Sequence, residues 1–210
     1  MTPTPAPYPF PPKPAGFTPD DQARWEQVSA RILRIEGGWS DDKADNGGAT
    51  KYGISLRFAV AAGDIDVNGD GLADLDLNMD GVIDGHDIRL LTPPIALALY
   101  FGHFWIDPGI WKLPRPIDAA VFDQAVNGGT TAAIRLLQRA CNRVGGQLVE
   151  DGRLGPRTRA GVALAVRGGK LLAAYRACAA ERYREIARRD PSQNRFLKGW
   201  LNRASELGRV

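Results

Sequence analysis

Two carboxyl groups and a hydroxyl group follow one another closely in the first quarter of the chain. They belong to Glu36, to Asp45 nine positions later, and to Thr50 fourteen positions after Glu36. A carboxylic acid can protonate a leaving oxygen, while a carboxylate and a hydroxyl can hold a water molecule for attack on the neighbouring carbon. Inverting cleavage of a glycosidic bond needs this division of tasks. The three residues are therefore candidates for acid–base chemistry on such a bond.

Glu36 lies at the end of a predicted amphipathic helix that we expect Asp20 to cap. The apolar stripe of this helix consists of Trp25, Val28, Ile32 and Ile35. Because Glu36 follows Ile32 by four residues, it extends the buried stripe. An apolar setting and the negative end of the helix dipole both favour the neutral form of a carboxyl group, which is the form a general acid needs. Position alone also allows an ordinary exposed Glu at a helix end.

The segment at residues 64–88 holds eight Asp and no Lys or Arg, and it matches the pattern of calcium-binding loops. Such a loop has oxygen ligands at alternate positions, a glycine at the sharp turn and a helix after the last ligand. Hard oxygen ligands suit calcium and not zinc. The second of two overlapping loops would use Asp76, Asn78, Asp80, the carbonyl of Val82, Asp84 and Asp87. The first would use Asp66, Asn68, Asp70, the carbonyl of Leu72 and Asp74, and would share Asp76.

We expect one or two calcium ions to be structural here. Eight carboxylates that repel one another need a counter-ion to fold compactly. With calcium, residues 64–91 would form a rigid clip between the segment ending YGIS and the helix that opens at Thr92. The alternative is an acidic loop that is merely solvated.

The rest of the chain predicts a mainly α-helical (α+β) fold with a small β-ribbon. Strand signals are few, and KYGIS at residues 51–55 is the best of them. Helices are predicted where capping residues, prolines and glycines bound an apolar periodicity. They begin at Asp20, Ser55, Thr92-Pro93, Pro116, Thr130, Gly155-Pro156 and Lys170, and a last helix follows Pro191.

The charge of the chain is unevenly distributed. The net charge is +3, yet residues 131–210 contain 17 Lys and Arg against six Asp and Glu. Such a basic half suits an anionic polymer, which could be nucleic acid, cell wall or lipid head groups. No zinc finger, aromatic RNA-binding signature or P-loop accompanies it, so we do not expect nucleic acid as a partner. No apolar run approaches the roughly 18 residues that a membrane helix needs.

Residues 1–17 read as an extended, proline-rich arm. They lack the charged-then-apolar order of a signal peptide, which predicts synthesis in the cytoplasm. Cys141 and Cys178 each lie in an apolar helical pattern and are expected to be free buried thiols, although a disulfide between them is an alternative.

Several motifs carry a family resemblance. The spacing of Glu36, Asp45 and Thr50 resembles that of the T-even phage lysozymes, and the resemblance implies that Asp45 and Thr50 hold the attacking water. EGGW, D-x-GGAT-x-YGIS, FDQAVNGG, AIRLLQRA, DGRLGPRTRA and PSQNRFLKGWLNR occur in the order typical of glycoside hydrolase family 108. That family comprises phage endolysins and related N-acetylmuramidases. The resemblance implies a lysozyme-like domain at 18–210, a peptidoglycan-binding-like region at 115–210, and Glu36 as the catalytic acid.

The function that the resemblance implies is hydrolysis of the β-1,4 bond between N-acetylmuramic acid and N-acetylglucosamine in peptidoglycan. We expect a monomeric phage endolysin that reaches the periplasmic wall after release by a holin and is attracted to anionic outer-membrane surfaces. A lytic transglycosylase, and a non-catalytic, calcium-stabilised wall-binding module, are the alternatives. Trp39, Tyr52, Trp105 and Asn127 are candidate substrate-binding residues. Core packing for the aromatic residues and helix bridging for Asn127 remain open.

Overall fold

The computed structural model describes residues 10–36, 38–40, 48–62 and 73–210. Within these ranges the fold is mainly helical with a small sheet, as the sequence predicts. The α-helices are α1 (Pro19–Ile35), α2 (Leu56–Ala62), α3 (Gly85–Leu90), α4 (Pro93–Leu99), α5 (Ile117–Gly128), α6 (Thr130–Arg143), α7 (Pro156–Arg167), α8 (Leu171–Arg189) and α9 (Asn194–Glu206). A π-helix, Tyr100–Ile106, continues α4, and short 3-10 helices lie at Ile110–Lys112 and Pro191–Gln193.

The start of α1 differs from the prediction. Thr18, not Asp20, caps the helix, because Thr18 is extended and its Oγ1 accepts a hydrogen bond from the Asp21 amide at 3.2 Å. The Asp21 carboxylate in turn accepts from the Thr18 amide at 2.8 Å, which completes a capping box. The predicted stripe is buried at its other positions, but Ile35 in the last turn is exposed.

The β-ribbon is a three-stranded antiparallel sheet in the order β1 (Trp39–Ser40), β2 (Thr50–Lys51) and β3 (Ile54–Ser55). KYGIS contains strand residues, as predicted, but they belong to two strands, because Tyr52 and Gly53 form a turn between β2 and β3. Both residues have positive φ angles, +51° and +68°. Two successive positive φ angles are typical of the turn whose twist suits a two-residue hairpin.

The chain forms two compact units, Met1–His103 and Phe104–Val210. In the first unit, Phe101 of the π-helix is the centre of an aromatic cluster. Its ring centroid lies 5.1 Å from that of Trp25, 5.7 Å from that of Phe17 and 4.9 Å from that of Phe10. Residues 10–17 of the proline-rich segment are therefore packed on the core of this unit.

The second unit is a helical bundle built around α5, whose residues from Ile117 to Val126 are all buried. Helices α6 and α8 pack together, and α9 packs on α8. One helix start again differs by a residue from the prediction, since Gly129 and not Thr130 occupies the cap position of α6. No helix in the described part of the chain is long and apolar enough to cross a membrane.

Candidate active site

Glu36 occupies the C-terminal cap of α1. Its backbone N–H donates to the carbonyl of Ile32 at 2.9 Å, so the last helical turn fixes the backbone from which the side chain projects. The side chain is half-buried, and its Oε1 atom is inaccessible to solvent. A carboxyl group held in this way is shielded from bulk water while its residue remains partly open, which suits proton transfer to a bound substrate.

The ribbon turn lies directly against the Glu36 carboxyl group. A Cβ atom placed on Gly53 would be 3.0 Å from Glu36 Oε2 and 3.2 Å from its Cδ. Only glycine leaves this space, and glycine also accepts the positive φ angle of the turn without strain. The Tyr100 hydroxyl donates to the carbonyl of Tyr52, which ties the same turn to the π-helix. The fold thus places the ribbon turn against the carboxyl group of Glu36, the proposed acid.

Thr50 lies on β2, in the strand that leads into this turn. Its Oγ1 donates to the carbonyl of Gly48 at 3.1 Å, and the side chain is half-buried. The hydroxyl can still accept a hydrogen bond, as water positioning requires. Asp45, the other predicted water-holding residue, lies outside the described residues. The structure therefore places Glu36 and the strand of Thr50 in one small motif, and the role of Asp45 stays a prediction.

Two of the predicted substrate-binding aromatic residues belong to the ribbon. Trp39 on β1 is 37% exposed, and the guanidinium carbon of Arg89 lies 4.7 Å from its ring centroid. Tyr52 is half-buried in the turn, with Lys51 Nζ 5.5 Å from its ring centroid. Both are in the same unit as Glu36, and their contact with sugar remains a prediction.

The other two predicted substrate-binding residues belong to the second unit. Trp105 is 1% exposed, and its ring packs edge-to-face on Phe122 with centroids 5.4 Å apart. Its prediction as a sugar-stacking residue is therefore wrong, because its ring is part of the core. Asn127 is exposed, and its Oδ1 accepts from the Tyr183 hydroxyl at 2.8 Å. This bond joins α5 to α8, as the bridging alternative predicts, and a role in substrate binding is untested.

The described part of the acidic segment forms a turn closed by Asp76 and Asp87, the first and last predicted ligands of the second loop. Asp76 accepts from the amides of Asp80 and Gly81 at 3.1 and 2.7 Å. Asp87 accepts from the amides of Asn78 and Asp84 at 3.1 and 2.8 Å. Asp76 and Asp87 are buried, and Gly81 has a φ of +86°, as the sharp-turn position requires.

The other predicted calcium ligands have surroundings that differ from those of Asp76 and Asp87. Val82 and Asp80 are exposed, and Asp84 caps α3 by accepting from the His86 amide at 2.6 Å. That backbone hydrogen bond lowers the pKa of the Asp84 carboxyl group. Among the described residues, His, Cys, Asp and Glu side chains form no group of three or more that could hold a metal. Asp74 is half-buried. The predicted ligands Asp66, Asn68, Asp70 and Leu72 lie outside the described residues, so calcium stays a prediction.

The DGRLGPRTRA motif is an integral part of the helical bundle. Gln138 of α6 is buried; its amide nitrogen donates to Asp151 Oδ1 at 2.7 Å and to Thr158 Oγ1 at 3.1 Å. Its amide oxygen accepts from the Gly152 N–H at 2.9 Å. The motif therefore encodes a turn that Gln138 holds.

Sequence reasoning missed two contacts that shape the candidate site. The approach of Gly53 to Glu36 had a signal, since a glycine within a strand pattern often marks a close approach. The contacts of Arg89 with the ribbon had no such signal in the sequence, because 38 positions separate Arg89 from Lys51.

Comparison with known proteins agrees with this architecture. Residues 29–129 match the family model described as glycosyl hydrolase 108, and residues 132–205 match one described as a predicted peptidoglycan domain. A solved structure of SagA from Brucella abortus is similar in fold, with a TM-score of 0.63 at 20% sequence identity; the match covers 90% of this chain and 98% of that chain. The search of curated proteins found no match.

Proposed function

We propose that this protein is an endolysin of phage origin that hydrolyses the β-1,4 bond between N-acetylmuramic acid and N-acetylglucosamine. It carries a glycosyl hydrolase 108 domain and is a glycoside hydrolase that acts on peptidoglycan. The observation that carries the proposal is the placement of Glu36. Its carboxyl group sits at the end of α1 against the turn of the ribbon that bears Thr50. A half-buried carboxyl group beside this ribbon can act as the general acid of such a cleavage.

In the proposed reaction, the Glu36 carboxyl group donates its proton to the glycosidic oxygen of the departing N-acetylglucosamine unit. The bond from that oxygen to the anomeric carbon of N-acetylmuramic acid breaks, and a water molecule attacks the same carbon from the opposite face. Asp45 takes the proton that this water loses, while the Thr50 hydroxyl helps to hold the water in place. This is the division between acid and water-holding groups that inverting enzymes use.

The second family domain supports peptidoglycan as the partner. Residues 131–210 hold 17 Lys and Arg against six Asp and Glu, so this part of the chain should be drawn to the anionic wall and to anionic outer-membrane surfaces. For an endolysin, this charge would act once a holin has released the protein from the cytoplasm to the periplasm. We expect the protein to work as a monomer.

We also propose that calcium binds the acidic segment as a structural ion. The support is the ligand pattern of the sequence, together with a described turn in which Asp76 and Asp87 are buried and Gly81 has the required positive φ angle. Calcium would there neutralise carboxylates that otherwise repel one another. It would take no part in the proton transfer assigned to Glu36.

Replacement of the acid tests the proposed function directly. We expect Glu36→Gln to fold like the wild type and to lower the initial rate of peptidoglycan clearing by about 10²- to 10⁴-fold, the usual contribution of a general acid. The measurement is the loss of turbidity of purified peptidoglycan, with circular dichroism as the control for folding. Glu26→Gln, an exposed change on the same helix, is the matched control and should clear at the wild-type rate. Wild-type clearing by Glu36→Gln would contradict the assignment.

A further inference from the structure

A single residue of α3, Arg89, contacts two neighbouring strands of the ribbon, β1 and β2. Its guanidinium carbon lies 4.7 Å from the ring centroid of Trp39 on β1. Its backbone carbonyl accepts a hydrogen bond from Lys51 Nζ on β2 at 2.5 Å. Since α3 includes the end of the acidic segment, this segment contacts the ribbon.

The sheet register shows why these two contacts belong together. Trp39 and Lys51 are direct partners across the β1–β2 pair, so Arg89 holds both members of one cross-strand pair. The next pair along the strands is Ser40 with Thr50. The pair that Arg89 holds is therefore adjacent to the proposed water-holding residue.

A separate contact brings α3 against the same strand. A Cβ atom on Gly85, the first residue of α3, would lie 3.8 Å from the Cβ of Ala49, the residue before Thr50. Ala49 is buried, and its carbonyl accepts from the Leu56 amide at 2.8 Å. Both ends of α3 thus approach the segment that carries Thr50.

The ribbon needs such support because its strands are short. Each strand has two residues, and a small isolated hairpin is at best marginally stable in water. At the turn, Gly53 packs on Glu36 and the Tyr100 hydroxyl binds Tyr52. Along β2, α3 contacts Lys51, which directly precedes the turn, and approaches Ala49 at the other end of the strand. The position of Thr50 relative to Glu36 therefore depends on the contacts at the turn and on those from α3.

We infer that Arg89 is a positioning residue for the glycosidase reaction. From α3 it keeps the Trp39–Lys51 pair in place, and this pair in turn keeps the neighbouring hydroxyl of Thr50 in place. The predicted effect on catalysis rests on the proposed function. It does not require Arg89 to touch substrate. A displacement of a reacting group by about 1 Å can lower turnover about a hundredfold, so even a partial loosening of the ribbon should be measurable.

Three variants of α3 and the ribbon test this role. Arg89→Ala removes the contact with Trp39, and we expect about tenfold lower kcat with KM within about twofold, since a positioned group contributes to turnover more than to binding. Arg89→Lys keeps a cation over the ring and should recover most of the loss. Lys51→Met removes the other contact and should also lower kcat. Leu90→Ala, an exposed change on the same helix, is the matched control with wild-type kinetics.

Hydrogen exchange gives a readout that does not depend on activity. In Arg89→Ala, amides of residues 49–55 should exchange about tenfold faster, while those of α8 keep their wild-type rates; a local opening that is tenfold more populated gives this result. Unchanged exchange at residues 49–55, or unchanged kcat with exchange increased, would overturn the positioning role. If the wild type itself fails to cleave peptidoglycan, the proposed function fails, and the exchange data still decide whether Arg89 braces the ribbon.

Discussion

The two units of this protein hold their important residues in opposite ways. In the second unit, α5 is buried over ten consecutive residues, and α6 and α8 pack together as helices of 14 and 19 residues. In the first unit, the candidate site is a ribbon of two-residue strands held by individual contacts from Gly53, Tyr100 and Arg89. Long helices bury enough apolar surface to stabilise themselves, whereas the ribbon is positioned by its neighbours. Mutations in the second unit should therefore affect mainly stability, and those around the ribbon mainly turnover.

The largest expected effect lies in the second unit, at a buried ion pair. Arg203 Nε lies 2.7 Å from Asp123 Oδ1, and the two side chains are 13% and 4% exposed. Arg203→Met removes the guanidinium from this buried carboxylate, so the free energy of unfolding should fall by about 3–5 kcal/mol. Urea unfolding measures this loss.

The matched control is a surface pair in the same unit. Arg139 and Glu150 lie 2.8 Å apart, with side chains 46% and 32% exposed. Arg139→Met should lower the free energy of unfolding by about 1 kcal/mol or less, because solvent screens an exposed pair. An equal loss of unfolding free energy in the two variants would contradict this difference between the units. A folded Arg203→Met protein with strongly reduced kcat would contradict it as well.

Two glycines with nearly equal φ angles sharpen the contrast. Gly53 has a φ of +68° and faces Glu36, while Gly169 in the second unit has a φ of +69° and nothing within 4 Å of the place a Cβ would take. Alanine at either position should cost about 1–2 kcal/mol of stability from the left-handed backbone. Only Gly53→Ala should also displace the Glu36 carboxyl group, with a loss of about a hundredfold in kcat. Matching kcat values for the two variants would show that the turn does not determine the position of the Glu36 carboxyl group.

The calcium proposal predicts a smaller effect on stability than loss of the buried Arg203–Asp123 pair. At a hundredfold excess over its dissociation constant, one bound ion adds about 2.7 kcal/mol to the free energy of unfolding. Thermal unfolding in excess calcium and after chelation measures this difference. Asp80→Ala should reduce the response, whereas Asp190→Ala, which removes an exposed turn carboxylate of the second unit, should leave it intact. Equal melting temperatures with and without calcium would contradict a structural ion.

Local signals in the sequence predicted most helix boundaries correctly. Pro93, Pro116 and Pro156 mark the starts of α4, α5 and α7 to within one residue, because proline fits the first turn of a helix and disrupts later ones. The caps of α1 and α6 were less predictable. Thr18 and Asp20 are both good capping residues, and only the capping box with Asp21 decides between them.

The site was predictable only in part. Helix periodicity predicted that Glu36 ends α1, as the structure shows, but the distance from its carboxyl group to Gly53 depends on a turn that KYGIS alone does not specify. Trp105 was misassigned because an aromatic residue in a helix can face a core or a ligand, and periodicity does not distinguish the two. Arg89 could not be predicted, since its contacts with Trp39 and Lys51 join segments far apart in the chain.

The most direct test of the central claim is the chemistry of the products released from purified peptidoglycan. Hydrolysis by Glu36 with a positioned water adds one water per cut and leaves a reducing N-acetylmuramic acid end. A lytic transglycosylase instead forms a 1,6-anhydro ring from the substrate's own hydroxyl, and adds no water. Mass spectrometry of a wild-type digest should show reducing N-acetylmuramic acid ends. Predominantly 1,6-anhydro ends, or reducing N-acetylglucosamine ends, would contradict the account.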